Sequence, residues 1–279
     1  VSTEELATML GGTARPVVLD VRWRLAGPPA RADYETAHVP GAVFVDLDTE
    51  LAAAPGSDGR HPLPDPVALR SVLRAAGIGA DTPVVAYDDR DGSVAARAWW
   101  LLRWAGHHEV AVLDGGYAAW IGEGRPVTAN IPIPGPGDIV VTPGGMPVLD
   151  ADRAAGVARD GVLLDARAPQ RYRGDVEPVD PRAGHVPGAR NAPFAGHIGP
   201  DGRWLPPAEL ADRFTRLGVS PDVPVGTYCG SGVTASSVVL AVEVSGVLAE
   251  PMPLYAGSWS NWSADPSRPV ATGDEQAGH

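Results

Sequence analysis

The sequence predicts an α/β protein of two tandem domains, each a mainly parallel sheet flanked by helices. Three observations carry this prediction. The chain repeats itself once, strand-like and helix-like stretches alternate within each repeat, and a segment rich in Pro and Gly separates the two.

The repeat is read from four matches in the same order. Leu19-Asp20-Val21-Arg22 resembles Leu164-Asp165-Ala166-Arg167. His38-Val39-Pro40-Gly41-Ala42 recurs letter for letter as His185-Val186-Pro187-Gly188-Ala189. Asp81-Thr82-Pro83-Val84-Val85 matches Asp222-Val223-Pro224-Val225-Gly226, and Asp114-Gly115-Gly116 to Trp120 matches Ala256-Gly257-Ser258 to Trp262. A period of roughly 140 residues is far longer than any solenoid repeat and fits a duplicated domain. Residues 128–147 contain Ile131-Pro132-Ile133-Pro134-Gly135-Pro136-Gly137 and Pro143-Gly144-Gly145. Such a run stops helix and central strand alike and reads as an extended linker. The expected division is a domain over 1–127, a linker over 128–147 and a second domain over 148–279.

Within the first half, residues 16–21, 42–47, 83–87 and 110–113 are short Val-rich runs suited to buried parallel strands. Residues 66–77 and 93–105 have helical spacing, with Pro66 suited to a first turn and Gly77 to a stop. The second half gives strands at 162–166, 223–228 and 250–254, and helices at 207–217 and 233–245. Ligands of such sheets bind outside the carboxyl ends of the strands.

Composition narrows the function. The 279 residues are 44 % hydrophobic and 20 % charged, enough apolar material for sizeable cores. The net charge is −12, and all 22 basic residues are Arg. This argues against broad contact with nucleic acid or an anionic membrane, while leaving room for a local Arg pocket. No run of 18 apolar residues suggests a membrane span, and residues 1–10 lack a signal pattern, so a cytoplasmic setting is expected. With one Cys, no intramolecular disulfide or multi-Cys metal site can form. Twin Asp-x-Arg motifs (Asp20 and Arg22, Asp165 and Arg167) read as structural ion pairs, and Trp99, Trp100, Trp104, Trp259 and Trp262 as packing residues.

That single cysteine, Cys229, follows the strand-like run ending at Tyr228. Gly230-Ser231-Gly232-Val233-Thr234 and a helical stretch come next. Two glycines let the backbone curl with its N–H groups inward, and the helix adds its positive end. Both favour an anionic sulfur, so the position suits a nucleophile better than a buried structural thiol.

Two duplicated α/β domains, a His-Val-Pro-Gly-Ala motif in each and Cys-Gly-Ser-Gly-Val-Thr in the second resemble the tandem-domain rhodanese sulfurtransferases, over about Leu19 to Trp262. The resemblance implies two rhodanese-like domains and a persulfide on Cys229. It implies a non-catalytic first domain, where Asp88 follows Tyr87 as Cys229 follows Tyr228. Loops of this type in the family go with 3-mercaptopyruvate as donor, and loops resembling Cys-Arg-Lys-Gly with thiosulfate. The residues agree, because Gly230 and Ser231 are neutral, and a hydroxyl beside the sulfur helps to protonate an enolate leaving group. Thiosulfate as main donor is the alternative.

Residue by residue, the resemblance implies Ser231 and His38 as proton-relay partners of Cys229. His38 also reads as architectural, since its twin His185 sits in the same motif with no chemistry assigned. Arg171 in Gln170-Arg171-Tyr172-Arg173-Gly174 matches the family's substrate arginine, and Arg182 is the best match for a second. A planar guanidinium grips a carboxylate bidentately. Gly230, Gly232, Val233 and Thr234 are expected to cradle the donor and the transferred sulfur. The expected acceptor is cyanide, a small thiol or a thioredoxin-like protein thiol, and no cofactor or metal is required. A phosphatase of related fold would need an Arg at position 235, which is Ala235.

Overall fold

A computed structural model describes residues 1–274. The chain forms two compact units. The first comprises residues 1–53, 63–146 and 200–204; the second comprises 54–62, 147–199 and, among the described residues, 205–274.

The first unit runs α1 (Thr3–Gly11), β1 (Val17–Asp20), α2 (Arg31–Thr36), β2 (Val43–Phe44), α3 (Leu47–Glu50), α4 (Pro66–Ala75), β3 (Val84–Tyr87), α5 (Ala95–Trp104), β4 (Val110–Val112) and α6 (Gly116–Gly122). Its strands pair in parallel in the order β2-β1-β3-β4. Strand β3 is apolar and buried at all four positions, as a strand covered on both faces must be. Ser2 and Glu5 form a capping box that starts α1. Asp46 ends the strand expected over 42–47 early, because its carboxylate accepts the Thr49 N–H and begins α3.

The second unit runs β5 (Val148–Leu149), α7 (Ala151–Asp160), β6 (Val162–Asp165), α8 (Pro169–Tyr172), β7 (Arg190–Asn191), a 3₁₀ turn over Phe194–His197, α9 (Pro207–Arg216), β8 (Val225–Tyr228), α10 (Ala235–Ser245), β9 (Leu254–Tyr255) and α11 (Ser258–Ala264). The sheet order is β5-β9-β8-β6-β7, again parallel throughout, with β8 in the centre. The strand expected over 250–254 contracts to β9, because Pro251 and Pro253 have no N–H to give a ladder. Residues 129–147 contain no helix or strand.

Duplication is visible inside the cores. Val39, Ala42, Tyr87 and Trp120 pack together in the first unit, and Val186, Ala189, Tyr228 and Trp262 in the second. Each first strand ends in a buried Asp that pairs with the Arg two residues on, Asp20–Arg22 at 2.7 Å and Asp165–Arg167 at 2.6 Å. Burial works against the Arg167 cation, but the Asp165 carboxylate outweighs it and holds its pKa above the ordinary value. The Tyr87 and Tyr228 hydroxyls accept the N–H of Val39 and Val186. These pairs fix the carboxyl ends of the central strands in each unit, and with them the loop that follows β8.

Candidate active site

Cys229 is the first residue after β8 and is buried. Its sulfur accepts the Gly232 N–H at 3.1 Å. Gly232 has φ +79, and a Cβ there would lie 2.5 Å from the Ala256 carbonyl, so only glycine fits this turn. The first turn of α11 holds the loop from outside. Trp259 N–H donates to the Cys229 carbonyl at 3.0 Å, and Ser260 N–H to the Gly230 carbonyl at 2.9 Å. Val233 and Ser231 are buried, and Thr234 is the residue before α10.

Ser231 Oγ lies 2.7 Å from His61 Nδ1. The sequence expectation placed His38 in this role, and the structure corrects it. His38 belongs to the first unit and is fully buried. Its Nδ1 is 2.7 Å from the Tyr34 carbonyl and its Nε2 3.2 Å from that of Asn130, while the ring stacks on Tyr34 at 4.0 Å. Its twin His185 repeats the arrangement, with Nδ1 2.8 Å from the Tyr172 carbonyl and the ring stacked on Tyr172 at 3.7 Å. The repeated motif is therefore architectural, tying a helix end to a turn.

Arg171, from α8, lies beside the loop. Its Nη2 pairs with Glu177 at 2.6 Å and Asp180 at 3.1 Å. Arg182 does not join it. Its guanidinium donates to the carbonyls of Ser263, Trp262, Asp265 and Arg268, so it caps the end of α11 instead of presenting donors to a ligand.

Arg60 and His61 were not singled out from the sequence. Their segment is bound to α11. Arg60 N–H donates to Ser260 Oγ at 3.0 Å, the Asn261 amide donates to the Ser57 carbonyl at 2.6 Å, and Gly59 passes so close that a Cβ would lie 2.7 Å from the Gly257 carbonyl. Arg60 Nη1 reaches Asp180 at 2.6 Å. A signal existed: Asp58-Gly59-Arg60 recurs as Asp201-Gly202-Arg203, in register with the other repeats. In the first unit Arg203 pairs with Glu123, and Trp204 follows it where His61 follows Arg60.

Charges around the loop alternate in a row: Asp165, Arg167, Glu177, Arg171, Asp180, Arg60. Burial, with Glu177 nearby, pushes the Asp180 carboxyl above the usual range against the pull of Arg60 and Arg171. Among the described residues no cluster of His, Cys, Asp and Glu is disposed to hold a metal ion, and no helix is long and apolar enough to cross a membrane.

The first unit shows what the same loop does without a cysteine. Asp88 follows β3 as Cys229 follows β8. Its Oδ1 accepts the N–H groups of Arg90 at 3.0 Å and Gly92 at 2.9 Å; its Oδ2 accepts those of Val94 at 2.8 Å and Ala95 at 3.0 Å. Gly92, with φ +78, matches Gly232, with φ +79. This loop geometry is thus a cradle for an anion.

Comparison with known proteins agrees with this architecture. The family model described as "Rhodanese-like domain" matches twice, at residues 2–123 and 150–265. A Pseudomonas aeruginosa protein provisionally named a 3-mercaptopyruvate sulfurtransferase is 49 % identical over 92 % of this chain and 93 % of its own length. A Mycobacterium tuberculosis protein provisionally named thiosulfate sulfurtransferase SseB is 43 % identical over 98 % of this chain and 96 % of its own. Among solved structures, SseA from Escherichia coli, titled a 3-mercaptopyruvate sulfotransferase of "Rhodanese" fold, superposes with a TM-score of 0.81. It is 29 % identical, over 93 % of this chain and 98 % of its own. The two family matches fall on the two halves that the internal repeat and the paired sheets had already separated, and the chain belongs to the rhodanese-like domain family.

Proposed function

We propose that this chain is a sulfurtransferase that takes sulfur from 3-mercaptopyruvate and passes it, through a persulfide on Cys229, to a thiol or to cyanide. The reading rests chiefly on Ser231, two residues beyond the cysteine, whose hydroxyl lies 2.7 Å from His61 Nδ1. An enolate leaving group needs a proton, and this pair can deliver one.

The reaction runs in two halves. The Cys229 thiolate attacks the donor sulfur and an S–S bond forms. The donor's C–S bond breaks, and its electron pair becomes the enolate of pyruvate. Ser231 gives that enolate a proton and recovers one from His61. Arg171 holds the donor carboxylate. In the second half the acceptor attacks the outer sulfur, the S–S bond breaks, and its pair returns to Cys229. The loop N–H groups of Gly232, Thr234 and Ala235, counterparts of those that hold Asp88, stabilise the persulfide between the halves.

The first domain is non-catalytic in this reading, with Asp88 where a nucleophile would stand. A cytoplasmic location and a thioredoxin-like acceptor fit the single cysteine and the absence of any disulfide. The deciding experiment compares kcat/KM for 3-mercaptopyruvate and thiosulfate with one acceptor. A preference for 3-mercaptopyruvate that collapses in Ser231→Ala supports the reading. A preference for thiosulfate that Ser231→Ala leaves alone would overturn it.

A further inference from the structure

The first turn of α10 carries two serines where its counterpart in the first unit has none. With Gly92 set against Gly232, the first helical residues Ala95 and Ala235 coincide, and the next pair is Ala96 and Arg97 in one unit, Ser236 and Ser237 in the other. Both serines are inaccessible to solvent, and both hydroxyls turn back onto the loop that begins at Cys229. Ser236 Oγ donates to the Gly232 carbonyl at 3.1 Å, and Ser237 Oγ to the Thr234 carbonyl at 2.7 Å. In the first unit the Gly92 carbonyl takes a backbone N–H instead, that of Ala96 at 2.9 Å.

The two hydroxyls are not equivalent. A carbonyl and the N–H of the next residue belong to one peptide group, and a hydrogen bond received at the oxygen polarises the N–H at the other end. Ser236 acts in this way on the Val233 N–H. Its counterpart, the Ser93 N–H, goes to Asp91 and lies outside the set that holds Asp88. Ser237 acts on the Ala235 N–H, whose counterpart, the Ala95 N–H, holds Asp88 Oδ2 at 3.0 Å. Ser237 therefore stands behind a peptide group that faces an anion in the twin loop.

His197 orients this hydroxyl. Its Nε2 lies 3.3 Å from Ser237 Oγ. A hydroxyl has one proton, and Ser237 places it on the shorter contact, the Thr234 carbonyl, so the imidazole donates from Nε2. The ring stays neutral, because burial with Arg213 nearby lowers its pKa to about 3. A chain of donors thus runs from His197 through Ser237 to the peptide group that ends in the Ala235 N–H. We propose that Ser237 is a positioning residue for the Cys229 loop: held by His197, it strengthens the Ala235 N–H as a donor to an anionic sulfur on Cys229. The inference deepens the sulfurtransferase reading and rests on it for what that sulfur carries, though not for its charge.

Because the chain has one cysteine, alkylation by iodoacetamide reads this sulfur alone. In the pH range where that rate still rises, it follows the thiolate fraction. There Ser237→Ala should slow alkylation of the full chain about threefold, and Ser237→Thr, which keeps a hydroxyl, should recover most of the loss. Ser236→Ala removes an equally buried hydroxyl one residue away and should change the rate far less. The Ala235 amide proton, read by NMR, should move to higher field in Ser237→Ala and stay in place in Ser236→Ala, a signature that packing alone would not give. With 3-mercaptopyruvate, Ser237→Ala should lower kcat about threefold at unchanged KM. An unchanged alkylation rate in folded Ser237→Ala overturns the proposal, as does a folded Ser237→Thr that recovers nothing. A loss of the same size in Ser236→Ala overturns it too, since both hydroxyls would then serve packing only. If alkylation and the amide proton respond as expected but the wild-type protein takes no sulfur from 3-mercaptopyruvate, the positioning role stands and the sulfurtransferase reading fails instead.

Discussion

Ser258 accepts the backbone N–H of Cys229 on its Oγ at 3.2 Å while holding φ at +54. It is the single non-glycine residue with positive φ among the described residues. The matching position in the first unit is Gly116, with the same φ of +54, where no cysteine needs support. A left-handed conformation costs a side-chain-bearing residue about 1 kcal/mol. The second unit carries that strain and gains a buried hydroxyl behind Cys229, which also donates to the Tyr255 carbonyl at 2.9 Å.

Two substitutions separate strain from support. Ser258→Gly and Ser258→Ala both remove Oγ and should lower kcat by a similar factor, about tenfold, with KM little changed. Ser258→Gly should be the more stable of the two by about 1 kcal/mol, because it alone relieves the left-handed strain. Melting temperatures and steady-state kinetics of the pair make the measurement. Activity that follows stability, with the Gly variant active and the Ala variant not, would show that the hydroxyl does nothing for the cysteine.

His61→Gln and Ser231→Ala should each reduce 3-mercaptopyruvate turnover by 10²- to 10³-fold, the range for loss of a positioned proton donor. The double variant should be little worse than either alone, since the two act as one unit. Thiosulfate turnover, whose leaving group needs no proton on carbon, should fall far less. Equal losses for both donors in kcat/KM would count against a proton relay.

Arg171 and Arg167 are four residues apart in sequence and differ in kind. Arg167 is buried against Asp165, which is inaccessible to solvent, and also donates to the Gly184 carbonyl at 2.7 Å. Arg167→Ala should cost about 3–5 kcal/mol of stability by stranding that carboxylate. Arg171→Ala should leave the fold closer to intact and lower kcat/KM for 3-mercaptopyruvate about thirty- to a thousandfold. Thermal melts set beside kinetics distinguish the two, and the reverse pattern would exchange their roles.

His197 gives the protein an acid-sensitive point away from the chemistry. Burial, with Arg213 nearby, lowers its pKa from 6.5 to about 3. The unfolded chain takes up this proton below about pH 6.5 and the folded chain only near pH 3, so stability falls as pH drops through that window. The slope is about 1.4 kcal/mol per pH unit, or roughly 2–3 kcal/mol lost by pH 4.5. His197→Gln should flatten this part of the curve in urea titrations run from pH 7 to pH 4. An unchanged slope would assign the acid sensitivity elsewhere.

Much of this was legible in the residues themselves. The duplicated motifs gave the two sheets, and the strand–loop–helix pattern around Cys229 gave the position of the thiol, because both are local. The partners of the loop were not, since they come from far along the chain. Ser231 meets a histidine 170 positions away, and nothing in the sequence around His38 or His61 says which one arrives. His38 drew attention through its repeated motif, yet exact repetition is the mark of scaffold: both copies anchor carbonyls. Arg182 was misread because a guanidinium serves a helix end as readily as a carboxylate, and the choice depended on where the carbonyls of α11 pointed. Arg60 was hidden in a stretch of Gly and Pro whose own repeat, Asp-Gly-Arg, is only three residues long.

The Asp88 loop is a receptor that carries its own ligand. Four N–H groups close on a carboxylate that belongs to the chain, so that half is permanently in its bound state. Its counterpart has no such resident anion, and in the proposed reaction what sits on the Cys229 sulfur varies. If the persulfide forms there, the order of the second loop should be linked to sulfur content, while that of the first should not. On that reading, loading with sulfur would act on the second half as ligand saturation acts on a binding protein. The duplicated fold would then contain a built-in reference: hydrogen exchange in the Asp88 loop should stay constant on incubation with donor, while protection of the Cys229 loop should rise with the sulfur aboard.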